Sequence, residues 1–420
     1  MTESSVYGGR WPVSHGAPPE APLPIHGPEF SARPHDTYAR LRAMGPIAPV
    51  EIGPGLRGYL TTTYRSALHL LRHTPDRFVK DPRHWTALNN GEVPQDCPAL
   101  QMMLPRDNAL WKDGPAHTRL RTAITGALAR VNTHKFAAGV GRIADRLIDA
   151  FAEKGHADLV AQYADPLPML AMIDEFGSPA DIGQEITSAI ASLFDTDQDA
   201  ARANAELEAA CLKLARIKRA RPGEDLTSWL IQGGLSDPEM VQTIVLVFGA
   251  ATTPSTNLII NGSRRILTDT RFSGSVYGGV QPVSAAVDEV LWDQSPVSSY
   301  SPLYPVGHQV FEGFTFVPGV PVLVGFAAAN TDPLLQLRPG SRSGNRGHLA
   351  FSAGVHACPA PGLARILAET AIEHLLDRLP HLTLAVHPGQ LIARPGTFHD
   401  GLTALPVTFG PEQHRTPTGR

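Results

Sequence analysis

The chain divides by periodicity into a helical middle and two flanks where short extended runs mix with turns. Apolar positions recur at helical spacing from about residue 116 to 267, which predicts helices over 116–133, 135–154, 181–196, 201–219, 224–232 and 237–267. Further helices are predicted at 35–44, 283–293 and 361–379, the last with Leu363, Leu367 and Leu375 as its apolar stripe. Extended runs at 47–52 and 59–63 flank the segment GPGLRG, and short β runs are scattered through 274–346. The pattern predicts a mainly α fold with small β-sheets (α+β). Residues 31–410 read as one domain, with an irregular lead-in at 1–30 and a polar tail at 411–420.

GPGLRG, Gly53 to Gly58, satisfies the GxGxxG spacing of a dinucleotide-binding turn. That fingerprint must open a helix, whereas the following YLTTTY is β-branched and extends as a strand. A hairpin turn is the expected structure.

Composition narrows the function classes. Lys and Arg number 36 against 40 Asp and Glu, a net charge of -4, so a phosphate-binding basic groove is not expected. Charged residues are 18%, below the ~25% usual for soluble domains, while Gly and Pro number 38 each among 420 residues. No run of 18 or more apolar residues occurs, so no membrane span is expected. The N-terminus lacks the basic and apolar regions of a signal peptide, and a cytoplasmic location is expected. Three widely spaced cysteines, Cys97, Cys211 and Cys358, cannot form a disulfide framework and fit a reducing compartment.

Candidate chemistry concentrates in HLAFSAGVHACPAPGLARILAE, His348 to Glu369. Cys358 stands just before a helix whose first turn includes Pro361, where the dipole and free N–H groups favour thiolate. Gly354 would let the preceding loop turn tightly. A thiolate presented this way is a good single ligand for iron. A buried free cysteine is the bland alternative. Zinc on His348, His356 and Cys358 is a weak one, because structural zinc takes four ligands, mostly in close pairs.

The combination of Phe351, Gly354, His356, Cys358 and Ala360, followed by Leu363, Ala364 and Arg365, resembles the haem-binding loop of the cytochrome P450 superfamily. Other segments resemble the family in the same order. DGPAHTRLR, Asp113 to Arg121, is similar to a helix motif in which His117 and Arg121, four apart and on one face, reach a haem propionate. VLVFGAATTPSTNLI, Val245 to Ile259, resembles the long helix crossing above the haem. There Pro254 removes the N–H that Ala250 would bond, opening the helix beside Thr252, and Gly249 leaves space over the iron. AVDEVLWDQSPV, Ala286 to Val297, is similar to the E-x-x-R helix, and Asp332–Pro333 to a later conserved stretch of the pattern.

The resemblance implies heme b held by Cys358, a propionate clamp of His117, Arg121 and His356, and O2 activation beside Gly249, Ala251 and Thr252. Thiolate donation favours O–O cleavage. It further implies electrons from a ferredoxin and ferredoxin reductase, with Lys112, Arg119, Arg342, Arg346 and Arg365 as a basic docking face. The substrate would be a hydrophobic small molecule or peptide, met by 85–103, 168–195, 247–251 and 298–301, and hydroxylated at an apolar carbon in specialised metabolism. A steroid, polyketide, terpene or peptide would all fit.

Three departures stand out. Trp292 occupies the arginine position of E-x-x-R, leaving Glu289 to find Arg342 or Arg346. Ala251 replaces the acid that usually precedes the threonine. Leu303–Tyr304 lie where an arginine often meets a propionate. They keep two alternatives open: oxidative aryl or peptide cross-linking, and a non-catalytic haem-binding or recruitment module.

Overall fold

The computed structural model describes residues 21–193, 200–273, 281–336 and 341–410. The first twenty residues of the expected lead-in and the tail at 411–420 lie outside them.

Helices dominate the middle of the chain, as periodicity predicts: Gly114–Leu128, Thr133–Asp149, Ala180–Leu193, Ala200–Ala220 and Leu226–Gln232. Val283–Asp293 and Pro361–Arg378 follow later. Beyond several helices of four to six residues, two longer ones are additional among the described residues. Pro166–Glu175 opens on Pro166, which reads as punctuation but is compatible with a first helical turn, where its missing N–H would have no partner anyway. Tyr64–Arg72 follows directly on a strand, and Thr63 caps it by accepting from the Ser66 N–H at 3.2 Å. The lead-in also gains regular structure. Leu23–Pro24 pairs in parallel with Val50–Glu51, and Ile25 and Phe30 are buried, so regular structure is present from residue 23.

The main sheet runs Leu23–Pro24, Ile47–Gly53, Leu56–Thr61, Val322–Val324, Tyr300–Pro305, Phe78–Val79. GPGLRG is the hairpin between the second and third of these, pairing Glu51 with Arg57 and Gly53 with Leu56. The two faces of the sheet pack differently. Phe78, Leu303, Phe316 and Val322 lie in one apolar group, and Leu60, Trp85, Tyr304 and Leu323 in another.

The run at 237–267 is two helices, Asp237–Ala251 and Thr253–Thr268, divided at Thr252. By length and composition the stretch Asp237–Thr268 could cross a bilayer; 56% of its most apolar window is buried in this fold, and it serves as a core helix. Its second half packs on the helix that carries the cysteine loop. Gly262 makes the approach possible, since a Cβ there would lie 2.6 Å from Ile372 Cδ1. Tyr163 ties that cysteine helix to the rest of the core, its hydroxyl donating to Ala371 O at 2.7 Å.

Candidate haem-thiolate site

Four hydrogen bonds shape the cysteine loop. Ser352 N–H donates to Leu349 O at 2.8 Å, Ala357 N–H to Gly354 O at 3.1 Å, and Cys358 N–H to Phe351 O at 2.8 Å. Ala360 N–H points at Cys358 Sγ, 3.4 Å away, before the helix begins at Pro361. Gly354 has φ +72, and a Cβ there would meet Leu71 O at 2.3 Å. Only glycine satisfies both conditions. Phe351, Gly354 and Ala360 therefore act through the backbone to aim the sulfur.

The ionisation of that sulfur differs from the sequence-based expectation. Burial pushes the Cys358 thiol up, and the Ala360 N–H and the Arg121 guanidinium only oppose it. The helix begins three residues beyond the sulfur, outside the first turn where its dipole acts strongly. Thiolate here needs a cationic partner, which a coordinated metal supplies. Cys97 and Cys211 are buried, with thiols also raised by burial, Cys211 to about 12. Among the described residues no three His, Cys, Asp or Glu side chains are placed to hold a metal, which removes the zinc alternative.

The three expected clamp residues come together. Gly114–Leu128 starts at its N-cap Asp113 and carries His117 and Arg121 on one face. The His117 ring lies 4.1 Å from that of His356, centroid to centroid, and Arg121 Nη2 donates to Ala357 O beside the cysteine. His356 Nε2 is buried without a hydrogen-bond partner, 3.5 Å from Asp113 Oδ1. Burial drives His356 down to about 4 and lowers His117, so both rings are neutral near pH 7. An orphaned buried imidazole beside a half-buried guanidinium and a single directed sulfur is a donor set that fits a haem: one iron ligand and several anion donors.

In the helix at 237–267 the break has the expected cause. Pro254 has no N–H for the Ala250 carbonyl. Thr252 takes φ -86 and ψ -78, and its hydroxyl donates back to Phe248 O at 2.9 Å. A Cβ on Gly249 would meet nothing within 4 Å, so the helix surface there is open. Ala251 brings only a half-buried methyl to this turn.

Glu289 is buried and paired with Arg342 at 3.3 Å and Arg271 at 3.5 Å. Arg346 instead meets the neighbouring Asp288 at 3.2 Å, as does Arg365 at 2.6 Å. Trp292 Nε1 donates to Asn345 O at 3.1 Å, and its ring stands edge-on to His348 at 5.7 Å. The indole thus fastens the stretch ahead of the cysteine loop. These pairs also correct the docking face. The Arg342 and Arg365 side chains are only 14% and 9% exposed, because the buried carboxylates Asp288 and Glu289 draw them inward. Lys112, Arg119 and Arg346 stay more exposed and each is paired, with Asp107, Glu239 and Asp288 respectively. Asp113 and Asp288 are organising residues that the motif reading passed over; a short polar residue just before Gly114–Leu128 was the available signal for the first.

A scan against models of known protein families finds no match. Individual proteins do match over nearly the whole chain. The cytochrome P450 monooxygenase PikC of Streptomyces venezuelae is 33% identical over 409 residues, 94% of this chain and 95% of its own. The vitamin D(3) 25-hydroxylase of Pseudonocardia autotrophica is 30% identical over 394 residues, 91% and 95% of the two chains. Among solved structures, CYP154C4 from Streptomyces sp. W2061 superposes with a TM-score of 0.84 at 28% identity, covering 94% of this chain and 99% of that one. With the directed sulfur, the clamp and the broken helix in place, these matches establish that the chain belongs to the cytochrome P450 superfamily and is a haem-dependent monooxygenase.

Proposed function

We propose that this enzyme hydroxylates an apolar carbon of a small organic molecule of specialised metabolism, with heme b held by Cys358 and electrons from a ferredoxin and its reductase. The observation that carries the reading is the direct packing of the helix that follows Cys358 on the second half of the helix broken at Thr252, Gly262 against Ile372. Haem bound there supplies oxygen activation by a thiolate-ligated iron. The chain does the rest. Ala360 N–H donates to Cys358 Sγ and tempers its charge. His117, Arg121 and His356 hold the carboxylates at the haem edge. Thr252 Oγ1, released from Phe248 O, and the Ala250 carbonyl hold a water that delivers protons, and Gly249 leaves room for it. Trp292 replaces the usual arginine of the E-x-x-R helix by hydrogen bonding and packing.

The 2-hydroxy-5-methyl-1-naphthoate 7-hydroxylase of Streptomyces carzinostaticus, 30% identical over 394 residues, supports a fused-ring, largely apolar substrate. Ala251 favours one second reading: oxidative coupling, which depends less on an acid–alcohol proton relay. Product masses separate the two, a gain of one oxygen for hydroxylation and a loss of two hydrogens for coupling. The haem-thiolate assignment itself is tested by the reduced, CO-treated protein. The red-shifted Soret band should appear in the wild type, persist in Cys97→Ser and Cys211→Ser, and vanish in Cys358→Ser. Its absence from the wild type would refute the assignment.

A further inference from the structure

At the C-terminal end of Thr253–Thr268 lies a cleft of about 540 Å³. The last turns of that helix give it Arg264, Arg265 and Thr268, and the end of Val283–Asp293 gives Gln294. Pro388 and Leu391, in and just beyond the turn Pro388–Gln390, form the facing side. The volume is that of a small-molecule site. Arg264 stands eleven residues beyond Thr253, about 16 Å along the helix, so the cleft is separate from the Thr252 break.

The cations around this cleft are unequally engaged. Arg265 Nη2 donates to Asp293 Oδ1 at 2.6 Å and to Gln294 Oε1 at 3.3 Å, and its Nη1 lies 3.7 Å from Asp269 Oδ2. Asp269 is shared with Arg271 at 2.6 Å, and Asp293 with Arg342 at 3.2 Å. Arg271 and Arg342 also meet Glu289, so three guanidiniums are matched against three carboxylates. Arg264 stands outside this network. It is half-buried, and its guanidinium makes no hydrogen bond or ion pair among the described residues. Burial lowers its pKa, with the Asp400 carboxylate the leading opposition, and an arginine stays charged under such a shift.

A guanidinium fork of this kind takes one carboxylate bidentately. With Asp269, Asp293 and Asp400 nearby, a dianion such as phosphate would be repelled more strongly than a single charge. Pro388 and Leu391 offer apolar surface, and Ile392, next in the chain, is 66% exposed. We propose that this cleft is a second ligand site, separate from the haem, for a small monocarboxylate with an apolar body. Arg264 takes the carboxylate, and Pro388 and Leu391 take the body.

The probe is 4-phenylbutyrate, titrated calorimetrically into the purified holoenzyme near neutral pH while the Soret band is followed. Occupancy beside the iron moves that band, so the cleft is read as the saturable component that leaves it unmoved. Wild type should show this component with a Kd of about 1 mM or tighter. Arg264→Gln should weaken it at least about tenfold, and Arg264→Lys, which keeps the charge but loses the fork, should fall between. The uncharged 4-phenylbutyramide should bind wild type at least about tenfold more weakly than the acid. No Soret-silent component in wild type overturns the proposal, as does equal affinity in wild type and Arg264→Gln, or of acid and amide. Inorganic phosphate binding more tightly than the carboxylate overturns the ligand class. If Arg264→Gln fails to fold, Thr270→Glu sets a like charge at an exposed position on the cleft rim. It should weaken the component at least about threefold, and unchanged affinity there overturns the proposal.

Discussion

Gly354 shows how much one residue can be asked to do. It sits at φ +72 and leaves no room for a Cβ against the Leu71 carbonyl. Gly354→Ala is therefore expected to cost roughly 2–4 kcal/mol, combining left-handed strain with a backbone collision. Thermal unfolding should report the loss, and the purified variant should carry less haem than wild type. An unchanged melting temperature would show that the loop can rearrange cheaply. Residues of this kind were legible in the sequence because they answer a local demand. Gly354, Cys358 and Pro254 each solve a backbone problem within a few positions of themselves. Arg342 was legible as a partner for Glu289, and meets it, whereas Arg365 was not, because its role depends on Asp288, a carboxylate brought in from elsewhere. Asp288 and Glu289 draw Arg365 and Arg342, both placed on the expected docking face, inward as largely buried partners.

At the scale of elements, Val283–Asp293 and the stretch after Arg342 form one unit. Asp288 accepts from Gly344 N–H at 2.7 Å, Glu289 holds Arg342, and Trp292 bonds Asn345. Trp292→Ala removes a buried indole and its hydrogen bond, with an expected cost of roughly 3–5 kcal/mol. Trp292→Arg should not rescue stability here. Glu289 already has Arg342 and Arg271, so a third guanidinium would lack a carboxylate. Melting temperatures in the order wild type above both variants would bear this out; an Arg variant more stable than wild type would contradict it. Periodicity located most helices, since one buried face suffices to mark them. It missed Pro166–Glu175, where Leu167, Pro168, Met169, Ala171 and Met172 are all buried and leave little polar contrast to read.

Across the whole molecule, buried histidines set the response to acid. His348 is held near 4 by burial, and neither ring nitrogen has a hydrogen-bond partner. The folded state keeps it neutral, so between pH 6.5 and about 4 the unfolded chain binds a proton that the folded chain refuses. Its contribution is intact above the unfolded value and lost as pH falls through that window. Asp165, Glu369 and Asp400, whose carboxyls burial raises, pull the other way, so the clear measurement is a difference. His348→Leu should match wild type near pH 7.5 and lose less stability by pH 4.5, by at most roughly 3 kcal/mol. Parallel pH profiles of the two proteins would show that His348 does not carry the effect. Overall topology was the easiest feature to anticipate from the chain, since the cysteine loop, the His117 helix and the Thr252 helix occur in one order along it. Which of their charges face inward was not, because that is decided only when the layers close.

The break at Thr252 divides the crossing helix into parts with unequal moorings. Below it, Asn257 and Asn261 bond Pro296 O and Asp400 O, and Gly262 lies under Ile372. Above it, Asp237 and Glu239 pair with Arg219 and Arg119, Gln242 donates to Glu208 at 2.9 Å, and Phe248 stacks on Phe176 at 4.8 Å. The lower part is thus held through buried backbone carbonyls and the upper part through side-chain pairs, with Thr252 between them. Guests of different girth could then be admitted by tilting Asp237–Ala251 while the sulfur side stays still. Amide hydrogen exchange would register the asymmetry as faster exchange over 243–251 than over 256–266, and uniform protection along both would show a single rigid rod.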